Sequence, residues 1–366
     1  MVHRLKKQKL AIKDRTHVRP QSPSPRPQRP NAPPGQGAWE QLAVSLVGRG
    51  AQLIERALTA VARPPKVLGE GAMGCVVLGR DMREGGQVAI KVAASAAGGG
   101  DALRREYQML RRLRGVVGVP EAKYFGRQAI AGQESFVLVM DLFGPSLEDL
   151  WWQTTGGGAG FEAGSALRLA GEMLTLLESV HRAGVVHRDV KPDNFLVGRG
   201  GKGLRLIDFG IALPRDVASD PSGFEGTLRF APRAAHALRR QGPADDLESL
   251  VYTLAFMLRG ALPWDAGAAD AVAEGKRAAV AALAEGGGAG GAGALVRGLD
   301  PACAAAVAGL LAHVASLGTD DEPDYAHCRA LVAAAAEVQP LISGCVPPPP
   351  AGRGRSARGA LRAPGP

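Results

Sequence analysis

Cysteine is scarce in this chain. There are four, Cys75, Cys303, Cys328 and Cys345, among 366 residues. No two stand close enough in sequence to make a metal-ligand pair. Neither a zinc module nor a disulfide framework is expected, and a reducing compartment fits. Long apolar runs are missing as well: none reaches the roughly 18 residues that mark a membrane-spanning helix, so no span is expected. No secretory hydrophobic region stands near the first residues. Acidic residues are nearly absent from the two ends. Residues 1–30 hold nine Lys or Arg and one acid, and residues 347–366 hold four Arg and no acid. These ends contribute +8 and +4 to a net charge of +9, leaving −3 for the rest. The basicity therefore belongs to the ends. They also lack aromatic residues for base stacking, so no specific nucleic-acid binding is expected.

What is present divides the chain. Residues 1–37 are rich in Lys, Arg and Pro and cannot bury enough apolar surface to order themselves. Trp39, Leu42, Ala43, Leu46, Leu53, Ile54, Ala57, Leu58 and Val61 recur at spacings of three and four, which predicts a helical extension over 38–63. Strand-like runs follow at 66–68, 75–79, 87–93 and 136–140, then long helical patterns at 163–182 and 246–259. Strands first and helices later predict an α+β domain, expected over 64–336. The Pro- and Arg-rich segment 337–366 reads as a disordered tail.

Four motifs carry chemistry. Gly69, Gly71, Gly74 and Val76 spell G-x-G-x-x-G-x-V. Glycines let the backbone approach phosphate oxygens with no Cβ in the way. A dinucleotide fold uses the same glycines, but a helix follows them there, whereas here Cys75-Val76-Val77-Leu78 predicts a strand. Lys91 stands twelve residues after Gly79 in the strand Val88-Ala89-Ile90-Lys91-Val92. A lysine there needs an anion, which ATP phosphates provide, and a carboxylate to hold it. Glu106, on the helical stretch 101–113, is the candidate. An edge-strand lysine reaching solvent is the plain alternative. Next comes His187-Arg188-Asp189-Val190-Lys191-Pro192-Asp193-Asn194. Asp189 can accept a hydroxyl proton, Lys191 can neutralise a moving phosphoryl group, and Asn194 offers an amide oxygen to Mg²⁺. Fourteen residues beyond Asn194, Asp208-Phe209-Gly210 supplies a second Mg²⁺ ligand in Asp208. Motifs in this order and spacing are not a chance set.

The sequence resembles the eukaryotic protein kinases, and within them the casein kinase I group. The finer matches are Gly144-Pro145-Ser146-Leu147-Glu148-Asp149-Leu150, the run His187 to Leu196, Asp245-Asp246-Leu247-Glu248-Ser249-Leu250, Leu262-Pro263-Trp264, and Pro323-Asp324-Tyr325 with Arg329. Gly226-Thr227-Leu228-Arg229-Phe230-Ala231-Pro232-Arg233 is similar to that group's activation-segment ending, which lacks the Glu most kinases have. The resemblance implies a bilobal fold, with an antiparallel-sheet N-lobe over 64–143 and a mostly helical C-lobe over 144–336. It implies a monomeric Ser/Thr kinase that uses ATP and Mg²⁺ on protein substrates, Lys191 speaking for Ser/Thr over Tyr. A pseudokinase scaffold is the alternative, and the retained Lys91, Asp189, Asn194 and Asp208 count against it.

Roles follow from the same resemblance. Leu68, Gly69, Gly71, Gly74, Val76, Ala89 and Leu196 would surround the nucleotide with Lys91 and Glu106. Met140 would be the gatekeeper, and Asp141-Leu142-Phe143 the hinge. Thr227 would place its hydroxyl near Asp189 and Lys191. Phe209, His187 and Leu110 would stack as a column, and Asp246 would hold the catalytic loop from below. Arg229, with Lys276 and Arg277, would form an anion site for acidic or already phosphorylated substrates, though Ala278 and Ala279 follow where the group has more polar residues. Lys276 and Arg277 also read as a solvated helix face. The activation segment is expected to work unphosphorylated. An intracellular address, cytoplasm or nucleus, is expected. Leu5-Lys6-Lys7-Gln8-Lys9 reads as a nuclear import signal, an organelle transit peptide or a solvated arm.

Overall fold

The structure is a computed structural model that describes residues 59–61, 67–71, 74–81, 85–94, 99–130, 133–217, 221–265, 267–285 and 293–339. The expected arm at 1–37, most of the helical extension at 38–63 and nearly all of the 337–366 tail lie outside these residues.

Among the described residues, six strands form one antiparallel sheet. They are β1 (Thr59–Val61), β2 (Val67–Gly71), β3 (Gly74–Asp81), β4 (Gln87–Ala94), β5 (Ala122–Ile130) and β6 (Gln133–Asp141). The order is β1-β3-β4-β6-β5, with β2 also paired to β3. The strand β1 corrects the helix expected through Val61: Thr59 to Val61 pair with Asp81 to Gly79 of β3. The free edge of β3 offers backbone partners there, and Thr and Val suit a pleated edge. The sequence pattern also passed over β5. Its mixed residues alternate poorly, yet Phe125 stacks on Tyr107 at 4.7 Å and on Phe136 at 5.7 Å, which fixes it to its neighbours.

Alternation in β4 decides where its lysine points. Val88, Ile90 and Val92 enter a small apolar cluster with Val77 and Val139. Ala89 and Ala93 face the other way, into the main core, and Lys91 shares their side of the strand. Helix α1 (Gly99–Arg112) lies between β4 and β5 in the chain. Leu103, Leu110 and Leu113 are buried on one face of that helical stretch, and Glu106 falls on the same stripe at 2% exposure.

The C-terminal part is helical: α2 (Leu147–Thr155), α3 (Ala163–Arg182), α4 (Arg233–His236), α5 (Pro243–Arg259), α6 (Ala269–Glu285), α7 (Pro301–Ala315) and α8 (Tyr325–Val338). Glu162 caps α3 by accepting from the Gly164 and Ser165 amides, both at 2.7 Å. Ala166, Leu167, Ala170, Met173, Leu174, Leu177 and Val180 then make its buried stripe. Helix α5 is buried almost all round, Asp246 and Glu248 included, and forms the centre of this part. Glu337 and Val338, expected to belong to the tail, still belong to α8. Two short antiparallel pairs sit between α3 and α4. They are β7 (Val185–Val186) with β10 (Leu213–Pro214), and β8 (Phe195–Val197) with β9 (Leu204–Leu206). The segments between these strands carry the chemistry-bearing motifs. The chain has the bilobal protein-kinase fold expected of it. Among the described residues, no helix is long and apolar enough to cross a membrane.

Candidate active site

The cleft between sheet and helices gathers the motif residues. Lys91 Nζ lies 2.7 Å from Glu106 Oε2 and 2.9 Å from Asp208 Oδ1. Burial alone would lower the Lys91 pKa, but the two carboxylates outweigh it and hold it above its ordinary value. The Lys91 charge holds Asp208 down at about 2, against the opposing effect of burial. Burial pushes Glu106 up, and Lys91 pulls against it. The edge-strand alternative for Lys91 is therefore corrected, because β4 is flanked by β3 and β6 and the lysine is paired.

Asp189 anchors the second half. Its Oδ1 accepts from the Thr227 hydroxyl at 2.7 Å, and its Oδ2 lies 2.7 Å from Lys191 Nζ. Lys191 also donates to Thr227 Oγ1 at 2.7 Å. Burial would lower the Lys191 pKa, and the Asp189 carboxylate more than restores it. Asn194 Nδ2 donates to the Asp189 carbonyl at 2.7 Å and to its Oδ2 at 3.2 Å. That leaves the Asn194 amide oxygen as its acceptor end. Asp208 likewise uses only Oδ1 on Lys91 among the described residues.

The loop is held from below. Asp246, in the first turn of α5, accepts from the His187 and Arg188 amides, each at 2.7 Å, and is 2.8 Å from His181 Nε2. Burial would raise its carboxyl, and these partners bring it below its ordinary value. Of the three described residues with a Cβ at positive φ, two belong to this site, Arg188 at φ 70° and Asp208 at φ 65°. Such strain costs about 1–3 kcal/mol each and persists only where surrounding contacts over-determine it. His187 donates from Nε2 to the Ile207 carbonyl at 2.9 Å, and its Nδ1 accepts from the Asp189 amide at 3.3 Å. Its ring meets Phe209 edge-on at 4.8 Å, in the same core as Leu110. With both nitrogens committed to backbone, His187 is a packing residue.

The residues expected around the nucleotide lie on β2 to β4, on β6 and the connection after it, and on β8. A Cβ on Gly74 would stand 2.0 Å from the Val92 carbonyl oxygen, so only glycine allows that close crossing. Gly69 and Gly71 lie on β2, while the loop tip at Ala72 and Met73 lies outside the described residues. Val76 is the cross-strand partner of Lys91, and Ala89 that of Met140. Leu68 is exposed and Met140 buried. Asp141 ends β6, and Phe143 follows in the connection to α2, with the Arg205 guanidinium 5.9 Å from its ring. The Gly144 amide bonds the Val197 carbonyl at 2.8 Å and Ser146 bridges Leu196, which ties the connection to β8.

The expected anion site is not assembled. Arg229 pairs with Asp265 through two hydrogen bonds, Nε to Oδ1 at 2.6 Å and Nη2 to Oδ2, over the Phe256 ring at 4.3 Å. Arg277 is exposed and pairs with Glu274 at 2.6 Å. Lys276 is 0% exposed. Its Nζ lies 2.8 Å from the Leu228 carbonyl, 2.7 Å from the Ala231 carbonyl and 3.0 Å from His236 Nε2. The solvated-face reading of Lys276 is corrected, because α6 turns it inward against the Leu228–Ala231 segment. Next to that loop, Arg233 is joined to Glu248 at 3.1 Å, so the missing Glu of the Ala-Pro-Arg ending leaves no loose end. Sequence reasoning also missed Asp265 and the pairing of Glu225 with Arg188 at 3.0 Å. Only the acidity of these two positions was visible in the sequence.

Burial brings the Lys276 pKa down to about 7, with Glu248 partly offsetting it. The unfolded chain therefore binds the extra proton between about pH 7 and the ordinary 10.5, and stability rises with pH across that window. The contribution is at most about 1.4 kcal/mol per pH unit. Lys276→Met should flatten this part of a denaturant-midpoint profile measured from pH 7 to 9. It should also lower stability by about 1–3 kcal/mol for each carbonyl left unpaired. A wild-type profile parallel to that of Lys276→Met would disprove the assignment.

Comparison with known proteins agrees with this geometry. Residues 63–285, more than half of the chain, match the family described as protein kinase domain. The chain is 39% identical over 219 residues to a casein kinase 1-like protein of Oryza sativa subsp. japonica, covering 54% of this chain and 30% of that protein. It is 37% identical over 212 residues to casein kinase I homolog 1 of Saccharomyces cerevisiae, covering 54% and 38%. A casein kinase I homolog 1 of Schizosaccharomyces pombe matches at 34% over 209 residues, covering 54% and 45%. The chain thus spans less than half the length of these relatives.

Proposed function

The chain belongs to the protein kinase family, and from that premise we propose that it is an ATP-dependent serine/threonine kinase of casein kinase I type. The observation that carries the reading is the closed constellation: Lys91 bonded at once to Glu106 and Asp208, and Asp189 bonded to Thr227 and Lys191. The catalytic unit is 64–336, with the lobes meeting at 143/144. The substrates are proteins, and the chain acts as a monomer with no specific nucleic-acid partner. The three described cysteines are free and buried, which suits an intracellular, reducing address in cytoplasm or nucleus.

The donor set fits Mg²⁺. Asp208 and Asn194 each keep an oxygen with no partner among the described residues, and this metal takes hard oxygen ligands from one or two side chains plus substrate phosphates. When bound, Mg²⁺ supplies charge neutralisation on the phosphate oxygens. The remaining work falls to side chains. Lys91 binds the α/β-phosphates, while Val76, Ala89 and Leu196 enclose the adenine, Met140 borders it and the Asp141–Phe143 backbone meets its edge. The glycine loop covers the phosphates. Asp189 orients the substrate hydroxyl and receives its proton as the hydroxyl oxygen bonds to the γ-phosphorus and the bond to the ADP oxygen breaks. Lys191 offsets charge on the moving group, and Thr227 keeps Asp189 and Lys191 in register.

Substrate preference is the finer part. Since Arg229 is taken by Asp265 and Lys276 is buried, the seat for an upstream phosphate is weak. The test is a degenerate peptide library assayed with and without a fixed upstream phosphoserine. Serine and threonine should be labelled and tyrosine not, with less than about a threefold gain from the phosphoserine. A gain of tenfold or more would mean that Arg229 leaves Asp265 to bind phosphate. Labelling of no peptide at all would defeat the kinase reading.

A further inference from the structure

Three consecutive residues of the activation segment dock on the catalytic loop. Thr227 bonds Asp189 and Lys191, as described. Gly226 sits at φ +108°, and a Cβ there would come within 3.1 Å of the Arg188 carbonyl oxygen. Glu225 reaches the guanidinium of the same arginine, Oε2 to Nη2 at 3.0 Å. Its other oxygen lies 3.7 Å from Arg105 Nη1 on α1. Arg105 precedes Glu106, the residue that holds Lys91. Arg188 completes the set by donating to the Ile211 carbonyl at 3.0 Å, just past Asp208-Phe209-Gly210. One carboxylate therefore touches the catalytic loop and α1 from within the activation segment.

The chemistry of this seat is specific. Arg188 is only 4% exposed on its side chain. A buried guanidinium whose anion is removed stands uncompensated, which makes such a pair far more consequential than a surface one. In kinases whose activation loops are ordered by phosphorylation, a new phosphate meets such arginines and fixes the loop. Here a carboxylate of the chain already stands there. Further negative charge on Ser222, three residues before Glu225, would meet a seat already filled.

We infer that Glu225 is a positioning residue, a permanent anion that couples the activation segment to α1 and thereby to the Lys91–Glu106 pair, so that the site assembles without phosphorylation. This rests on the kinase reading, but its test does not depend on that reading alone.

The test compares the full-length protein with its isosteric variant Glu225→Gln, both treated with phosphatase. Hydrogen exchange should quicken tenfold or more over 99–112 and 221–227 in the variant, and kcat for a peptide substrate should fall tenfold or more. The peptide KM should stay within about twofold, since the Glu225 carboxylate is engaged by Arg188 and Arg105. A structural role remote from α1 would leave exchange over 99–112 unchanged, and that result overturns the inference whether or not a substrate is known. Equal kcat for wild type and Glu225→Gln also overturns it, as does a tenfold loss of wild-type rate on phosphatase treatment. A wild type that transfers no phosphate bears instead on the kinase reading, and exchange still decides this one. Should Glu225→Gln fail to fold, Arg105→Gln removes the other end of the bridge and should quicken exchange over 99–112. No change there overturns the coupling.

Discussion

Asp189→Asn should lower kcat by about 10²-fold or more while leaving the fold intact. The substitution keeps the shape of the side chain, and the Asn194 amide still bonds the backbone carbonyl of residue 189 at 2.7 Å. What changes is polarity. An amide cannot receive the substrate's proton. Its nitrogen would also face Lys191 Nζ at 2.7 Å and Asn194 Nδ2 at 3.2 Å, two donors that then have no acceptor there. The measurement is initial rate on an acidic protein such as casein at saturating Mg-ATP, with melting temperature as the fold control. Asp208→Asn attacks the other side of the cleft. It removes the carboxylate that Lys91 holds at about 2 and leaves a neutral oxygen for Mg²⁺. The Mg²⁺ concentration for half-maximal rate should rise tenfold or more. Equal phosphate incorporation by wild type and both variants would refute the catalytic assignment.

Lys91→Met should cost at least as much activity and should also carry a pH signature. Methionine fills similar volume but leaves Glu106 buried with no cation. Breaking a buried pair from one side costs about 3–5 kcal/mol, because the remaining charge is uncompensated. Glu106 can escape by taking up a proton, and burial already raises its carboxyl above the ordinary 4.5. A raised folded-state pKa contributes stability below the unfolded value that is lost as pH rises through the folded one. The variant should therefore lose stability relative to wild type as pH climbs above about 4.5. Glu106→Gln should be milder, near tenfold in rate. Its amide oxygen still accepts from Lys91, and Lys91 keeps Asp208 at 2.9 Å. Denaturant midpoints at pH 5 and pH 8 with parallel rate assays check both variants. Full activity in Lys91→Met would mean that another lysine binds the phosphates.

Much of the site was legible because its parts are short and contiguous. The glycine loop, the strand of Lys91, the run from His187 to Asn194 and Asp208-Phe209-Gly210 each need a fixed local backbone, and local backbone writes a local pattern. A partner for Lys91 could be inferred because a lysine in an apolar strand demands an anion. By the same logic Glu106 was the candidate partner on the helical stretch 101–113, whereas the contact of Lys91 with Asp208 was not foreseen. The long helices at 163–182 and 246–259 and four strands of the main sheet, β2, β3, β4 and β6, followed from the sequence pattern.

Other features were decided only by the folded chain. The strand Ala122–Ile130 lacks clean alternation and exists because β6 lends it a hydrogen-bonding edge and Tyr107 and Phe136 sandwich Phe125. Val61 fits a helical stripe by spacing, yet the edge of β3 draws it into a strand. Lys276-Arg277 reads as a solvated face at any separation from its partners. Arg277 is indeed exposed, but the burial of Lys276 depends on carbonyls at Leu228 and Ala231 that α6 meets only after folding. Arg229 finds Asp265 36 residues away, and Arg188 finds Glu225 across the activation segment. Sequence alone determined which chemical groups this protein possesses and which of them are spaced to act together. Tertiary structure decided which charges are spent on one another, because the pairing of charges depends on distances in space that sequence separation does not encode.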